Sequence, residues 1–288
     1  MKVFIVPNYS RPEAVGGART LEDWLSGQGV ESRWAHDKKR YPGYVEDVSD
    51  CDLVVSLGGD GTLLRAARIV GYKGIPILGI SYGHLGFLTT AEPEDLVGTV
   101  DEALSGRLHT SHRATLDIEA VYAREDGGTY TLHSFALNDL AVSRGGAGDM
   151  IEFDVSVSGN HIDRLRGDGF VVSTATGSTG YALAAGGPIV TPEFKGMVCV
   201  PVAPHTIMAR AFLTSPDDEV EIAMSPERPV SRHFFADGQS LMGEGRGTGI
   251  RATVRRGPGD IVLLDRSARS FYNSVSRVFY GKAARRDA

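Results

Sequence analysis

The chain has 288 residues, of which 42% are hydrophobic and 23% charged, and its formal net charge is −6. This is the composition of a water-soluble globular protein large enough for two domains, and the acidic balance excludes a general binder of nucleic acid. The charge is uneven, because residues 251–288 carry nine Lys/Arg and three Asp/Glu. That stretch reads either as a contact for RNA or a membrane, or as a solvated helix face, which is the more frequent case.

Cys51 and Cys199 stand far apart in no CxxC pattern. They form no disulfide framework or zinc motif and fit a reducing compartment. The opening MKVFIVPNYS has a short apolar run before Pro7, and no later run approaches a membrane span. The expected location is the cytoplasm, with no membrane partner.

Strand and helix signals alternate through the first hundred residues. KVFIV (2–6), DLVVSL (52–57) and PILGIS (76–81) are buried-strand runs. TLEDWLSGQG (20–29) places Leu21, Trp24 and Leu25 at helical spacing, and Leu63, Ala66, Ala67 and Val70 line a second helix. A third helix starts near Pro93, buries Leu96, Val97, Val100 and Leu104, and stops at Gly106. Alternation of this kind implies a parallel sheet covered by helices.

The pattern then changes to strands at 116–123, 129–137, 151–159, 219–224, 250–256 and 261–265, with turn signals such as DGG and GPGD between several of them. TGYALAAGG (179–187) is a helix-like interruption, and FYNSVSRVFYGK returns to helical spacing through Phe271, Val275, Val278 and Phe279. The expected architecture is an α/β domain with a parallel sheet over 1–108, followed by a mostly-β domain over 109–265, α+β overall. The segment 266–288 is expected to pack back on the first domain.

Three stretches carry candidate chemistry. In LVVSLGGDGTLLRAAR (53–68) a buried strand breaks into GGDG and a helix begins. The glycines permit a tight turn and a close ligand, and the amides that open the helix suit an anion. Asp60 is then either a functional carboxylate or the cap of its helix. GGDGT is no Walker loop, since GxxxxGK[ST] occurs nowhere, and no GxGxxG follows a strand.

The second stretch, LRGDGFVVSTATGSTGYALAAGGPIV (165–190), follows a GDG turn with a hydroxyl-rich turn that opens a helix carrying Tyr181. Its amides and hydroxyls can bind phosphate or sugar, and the tyrosine can pack on a base; a glycine-rich domain junction is the plainer reading. In the third, ALNDLAVSRG (136–145), Asn138 and Asp139 interrupt an apolar strand. Asn can read an adenine edge and Asp can accept a ribose hydroxyl; an Asx-type turn accounts equally for the pair. HTSH (109–112) has a spacing possible for metal but no third ligand nearby, and GEGRGTG (243–249) reads as a hairpin loop or a segment that closes over a ligand.

GGDGTLLRAAR, YGHLGFLTT (82–90), the Asn-Asp-Leu stretch, GDGFVVSTATGSTGYALAAGGPIV and the late FADGQ occur in the order and at spacings similar to those of the NAD kinases. The resemblance spans roughly residues 1–265. It implies phosphoryl transfer from ATP or polyphosphate to the adenosine 2′-hydroxyl of NAD, making NADP, with Mg²⁺ or another divalent cation carried on the donor phosphates and no protein metal cage. A GGDG-type lipid or sugar kinase, or a sensor that binds NAD without turnover, are the competing readings.

By the same resemblance Asp60 is the general base, and Gly58, Gly59, Gly61 and Thr62 border the donor phosphates. Asp60, Gly61, Arg65, Asn138, Asp139, Arg166, Asp168, Thr179, Gly180, Tyr181, Ala184 and Gln239 contact NAD. A homodimer or homotetramer is implied. The chain departs from the family's pattern at Ala175, Gly180 and Ala182, where Pro, Ala and Asn are common. It departs again after PHT (204–206), which leaves His205 without a role, and in its final residues.

Overall fold

The structure, a computed structural model, describes all residues except 42, 84–85, 146–148, 228–231, 243–246 and 282–288. Most of GEGRGTG and the last residues of the basic C-terminal stretch therefore lie outside the described residues. The chain divides into two units, Met1–His112 with the part from Ile261 onward, and Arg113–Asp260.

In the first unit the β-branched runs Lys2–Pro7, Leu53–Gly58 and Ile77–Ser81 are buried along almost their whole length, as befits strands covered on both faces. The sheet runs in space Glu31–Trp34, Lys2–Pro7, Leu53–Gly58, Ile77–Ser81, Ile261–Asp265 and His109–Arg113. Its pairings from Glu31–Trp34 as far as Ile261–Asp265 are parallel.

Two of these strands fall where the sequence placed the second domain. His109–Arg113 and Ile261–Asp265 instead extend the first sheet, because Leu263 pairs with Ile77 and packs its apolar neighbours beside it. The helix Asp60–Val70 buries Leu63, Ala66, Ala67 and Val70, the face its spacing predicts.

The first helix is longer than expected, Pro12–Gly27, with Pro in its first turn and Ala14, Ala18, Leu21 and Leu25 buried. Its early turns are disguised by Gly16 and Gly17. A Cβ on Gly17 would lie 1.7 Å from the Tyr82 hydroxyl oxygen, so glycine there makes room for that ring. The last helix, Ser270–Tyr280, buries no residue fully but sets Phe271 and Phe279 against Phe87, at centroid distances of 6.2 and 5.7 Å.

The second unit is built from two antiparallel six-stranded sheets. One runs Asn160–Gly167, Ile151–Val157, Glu219–Met224, Thr248–Arg256, Leu116–Ala123 and Thr129–Ala136. Its alternation is clean: Leu116–Ala123 buries every second residue.

The other runs Phe212–Leu213, Val198–Val202, Gly169–Ser173, Asp139–Arg144, Arg232–Ala236 and Gln239–Ser240. A single core holds side chains from both, with Phe153 and Phe170 edge to face at 5.8 Å. The outer face of the second sheet buries Ala141, Val171, Val198 and Val200 under Ala175, Ala182 and Val190. That packing seats the Thr174–Gly187 segment on the sheet end where Asn138 and Asp139 lie.

Candidate active site

Buried Leu53–Gly58 delivers the glycine turn. A Cβ on Gly58 would lie 2.2 Å from Thr62 Oγ1, so the protein's own packing demands that glycine. At Gly59 and Gly61 an added Cβ would meet nothing within 4 Å. Those two glycines leave open space above the backbone, which is what a closely approaching ligand needs.

Asp60 does not cap its helix. The N-cap is Gly59, with no side-chain cap bond, and Asp60 is the first helical residue. Its carboxylate instead accepts the Phe87 N–H at 3.2 Å and the Leu88 N–H at 3.3 Å. Partial burial raises its pKa above the usual carboxylate range, and the two backbone N–H groups work against that rise by favouring the ionised form. Gly86 closes the slot: any Cβ there would stand 2.3 Å from Asp60 Oδ1. A segment noted in the sequence only for its resemblance thus turns out to hold the central carboxylate.

Beside the turn a cleft of about 390 Å³ is bordered by Gly59, Gly61 and Thr62, by Asn8 and Arg11 after the first strand, and by Lys38, Lys39 and Arg65. Asp60 is not among the lining residues. Four cations face one acid, Asp37, beside the positive end of the helix Asp60–Val70. Arg65 donates through Nη2 to the His36 carbonyl, and its buried Nε has no partner. Of these cations only Arg65 was picked out by the sequence reading. The run HDKKR was the available signal for the two lysines.

In the second unit three separate sequence stretches meet. The Asp-Gly turn of FADGQ has both residues at positive φ, 48° for Asp237 and 72° for Gly238, the conformation a two-residue hairpin turn requires. From it the Asp237 carboxylate accepts the N–H groups of Leu137 (3.0 Å), Asn138 (2.7 Å) and Asp139 (3.3 Å). The carbonyls of Leu137 and Asn138 are taken by Thr174 Oγ1 at 2.6 Å and the Thr174 N–H at 2.8 Å. A Cβ on Gly177 would press to 2.3 Å from the Asn138 oxygen. The backbone around Asn138 is therefore fixed from both sides.

What remains at this point is side-chain capacity. Asn138 Oδ1 is buried and has no partner, and a buried acceptor of this kind calls for a donor. Asp139 is 5% exposed, and burial, followed by the nearby charge of Asp237, pushes its pKa up to about 7. Gly180 lies beside Asn138, since a Cβ there would stand 3.8 Å from Nδ2 and 3.3 Å from the Gly177 oxygen. Tyr181 is 45% exposed, and Ala184 on the same turn is exposed as well. Gln239, exposed, follows the Asp237–Gly238 turn and pairs with Ala236.

Two expectations change here. The serine and threonine hydroxyls of STATGST are turned inward: Ser173, Thr174, Thr176 and Ser178 are buried, and Ser178 Oγ donates to the Ala175 carbonyl and accepts the Val190 N–H. They hold the turn together. Thr179, half-buried, donates to the Thr176 carbonyl at 3.2 Å.

The helix after them is also shorter than predicted. A 3₁₀ turn spans Gly177–Thr179, Gly180 leaves helical geometry with ψ −127°, and only Tyr181–Ala184 follows. Tyr181 thus begins its helical turn.

Arg166 and Asp168 lie apart from this cluster. Asp168 precedes the strand Gly169–Ser173, whose far end leads to Thr174, so it sits roughly 20 Å away at ~3.3 Å per residue. Asp168 pairs with Arg144 at 2.8 Å, Arg166 keeps a buried Nε without a partner, and the Arg166 carbonyl accepts the His205 N–H at 2.8 Å.

Comparison with known proteins agrees with both halves of this arrangement. The family model for the ATP-NAD kinase N-terminal domain matches residues 26–108, and that for the ATP-NAD kinase C-terminal domain matches residues 137–263. The NAD kinase of Aromatoleum aromaticum is 33% identical over 293 aligned positions, covering 99% of this chain and 95% of that protein.

Among solved structures, an NAD kinase from Archaeoglobus fulgidus in complex with ATP superposes with a TM-score of 0.74 at 28% identity, covering 98% of each chain. Yeast NADH kinase complexed with NADH shares the fold, with a TM-score of 0.85 at 20% identity over 100% of this chain and 89% of that one. The chain is a member of the NAD kinase family.

Proposed function

We propose that the chain transfers a phosphoryl group from ATP, or from polyphosphate, to the 2′-hydroxyl of the adenosine ribose of NAD, yielding NADP. The observation that carries this reading is the Asp60 carboxylate. It is held by two backbone N–H groups at a glycine turn whose Gly59 and Gly61 border a four-cation cleft. The ATP complex of the Archaeoglobus fulgidus relative supports the donor, and the naming of the relatives supports the acceptor.

A ribose hydroxyl attacks phosphorus well only as its proton leaves, and Asp60 is the group to accept it. Its raised pKa makes it a stronger base than an exposed aspartate. Arg11, Lys38, Lys39 and Arg65 would neutralise the donor phosphates, while Gly59, Gly61 and Thr62 let them approach the backbone.

Among the described residues no three His, Cys, Asp or Glu side chains converge on one point. We place the magnesium ion on donor oxygens and water. Bound there, the cation would supply charge neutralisation between the phosphates.

On the acceptor side, Asn138 Oδ1 would take a hydrogen bond from the adenine amino group, and ionised Asp139 would accept a ribose hydroxyl. Tyr181 packs on the adenosine, bordered by Thr179, Gly180 and Ala184, with Gln239 beside the same turn. Arg166 and Asp168, at the other end of the strand, serve the nicotinamide half. We place the protein in the cytoplasm as a homodimer or homotetramer. Two unbridged, buried cysteines support a reducing compartment, and no helix among the described residues is long and apolar enough to cross a membrane.

Asp60→Asn keeps the turn and cannot accept a proton. Turnover should drop by roughly 10²–10⁴ while NAD affinity in isothermal titration changes little; near-normal turnover in the folded variant contradicts the base assignment. Gly86→Ala tests the slot from the opposite wall. Its methyl displaces the carboxylate, and an offset of about 1 Å costs on the order of 10²-fold in rate, with NAD binding preserved. Unchanged turnover would show that the placement of the carboxylate is immaterial.

Asp139 sets a pH dependence. With a folded-state pKa of about 7, it loses its charge as pH falls through that value. NAD should therefore bind about tenfold more weakly near pH 6 than near pH 8, and Asp139→Asn should flatten the profile. The linkage runs the other way for the unliganded fold. Between the ordinary carboxylate range and about 7 the folded chain keeps a proton that the unfolded chain releases, so stability falls as pH rises through that window. Thermal melts of the wild type against Asp139→Asn across the same range check the sign.

A further inference from the structure

The helix Ser270–Tyr280 buries no residue fully, yet two of its rings meet the residue that holds Asp60. Phe271, Val275 and Phe279 recur at every fourth position and so share one face. Phe271 and Phe279 are two turns apart, roughly 12 Å along the axis at 1.5 Å rise per residue. The Phe87 ring lies 6.2 Å from the first, tilted by 52°, and 5.7 Å from the second, stacked at 30°. Each distance is about half the axial separation, so Phe87 is seated between the two rings at the level of Val275. Both fall within the attractive range for ring pairs, about 4.5–7 Å. The rest of the helix is open to solvent, with Tyr272, Val278 and Tyr280 exposed.

Phe87 donates its N–H to Asp60 Oδ2, and Leu88 donates to Oδ1. Beyond them the segment is fastened independently of the helix. Leu88 is buried, the Thr90 N–H donates to the Gly79 carbonyl at 2.8 Å, and Thr90 Oγ1 donates to the Leu264 carbonyl at 2.6 Å. On the near side Gly86 brings no side chain, and its N–H donates within the segment, to Thr89 Oγ1 at 3.3 Å. At this end the Phe87 ring supplies the side-chain anchor.

We propose that Phe271 and Phe279 are positioning residues for phosphoryl transfer: by clamping the Phe87 ring they hold its N–H, and with it the Asp60 carboxylate, where the acceptor's proton is taken. The proposal rests on the reading of Asp60 as the base. Neither ring needs to touch Asp60, since a base displaced by about 1 Å loses on the order of 10²-fold in rate.

A loosened clamp also changes how Asp60 titrates. Burial raises its pKa more than the Phe87 and Leu88 N–H groups lower it. A segment that lets water in removes both effects together and returns Asp60 towards the ordinary aspartate range. The other titratable and charged groups around the turn are Arg11, Lys38, Lys39, Arg65 and Tyr82. The helix adds Arg277, which donates to Ser274 Oγ at 3.5 Å. Substitutions at Phe271 and Phe279 leave all of these in place.

The test is turnover of the full chain against pH, with NAD and donor saturating, beside NAD titrations and thermal melts. Phe271→Ala/Phe279→Ala should lower plateau turnover by about 10- to 100-fold and move the acid limb down towards the ordinary aspartate range. NAD affinity should not change. Phe271→Leu/Phe279→Leu, which keeps apolar bulk against Phe87, should recover most of the turnover, and Tyr280→Ala on the exposed surface should match the wild type. Phe87→Ala removes the clamped ring itself and carries the same expectations should the double alanine variant fail to fold. Where both fold, combining them should cost no more than either alone, as for groups that act through one contact.

Wild-type turnover and an unmoved limb in the folded alanine variants overturn the proposal, even if the melting temperature falls. So does a loss that falls on NAD affinity instead. Near-normal turnover of Asp60→Asn removes the base and the clamp together, whereas an inactive Asp60→Asn beside fully active helix variants removes the clamp alone.

Discussion

A carboxylate drawn partly out of water must be given hydrogen-bond donors, and the geometry around the glycine turn follows from that requirement at Asp60. The donors are the N–H groups of Phe87 and Leu88, which come from a segment far along the chain. To reach Asp60 that segment must lie flat over the turn. Gly86 has no Cβ because one would strike the carboxylate, and Gly79 has none because one would meet the Leu63 side chain at 2.7 Å and the Leu88 carbonyl oxygen at 3.1 Å. The sheet, the helix Asp60–Val70 and the 86–89 segment are thereby locked to one another through a single charged group. The same arrangement raises the basicity of Asp60 while keeping it ionisable.

The second unit solves a similar problem in the same way. Asp237 sits in a left-handed conformation and satisfies three successive backbone N–H groups, which fixes Leu137–Asp139 without using the side chains of Asn138 and Asp139. In each unit a carboxylate taken up by main-chain N–H groups fixes the backbone around it. Burial, followed by the charge of Asp237, keeps Asp139 reluctant to ionise, so of two acids close together one has a structural task and the other titrates near neutrality.

Much of this was legible in the sequence where the signal was local. The buried runs at 53–58 and 77–81 and the helical face of Leu63, Ala66, Ala67 and Val70 follow from periodicity alone. The change from alternating elements to strands is equally plain. Several strands escaped notice. Glu31–Trp34 lies at the sheet edge, Asn160–Gly167 is exposed over its first five residues, and Val198–Val202 contains a proline.

In the candidate site, GGDG and the Asn-Asp pair could be found because their composition is unusual. The roles of Gly86 and Asp237 could not, since each depends on a contact with a residue remote in sequence. The STATGST hydroxyls show the converse limit. A hydroxyl-rich turn has the same composition whether its oxygens face a ligand or, as here, its own backbone.

The central claim is that Asp60 takes the proton in the chemical step. The measurement that tests it most directly is the pH dependence of turnover with NAD and donor both saturating, which sets binding effects aside. Turnover should fall along an acid limb whose midpoint lies above the ordinary aspartate range, the direction in which burial shifts Asp60, and the residual turnover of Asp60→Asn should lack that limb. A flat profile through the acid range, or a limb that persists in Asp60→Asn, would contradict the account.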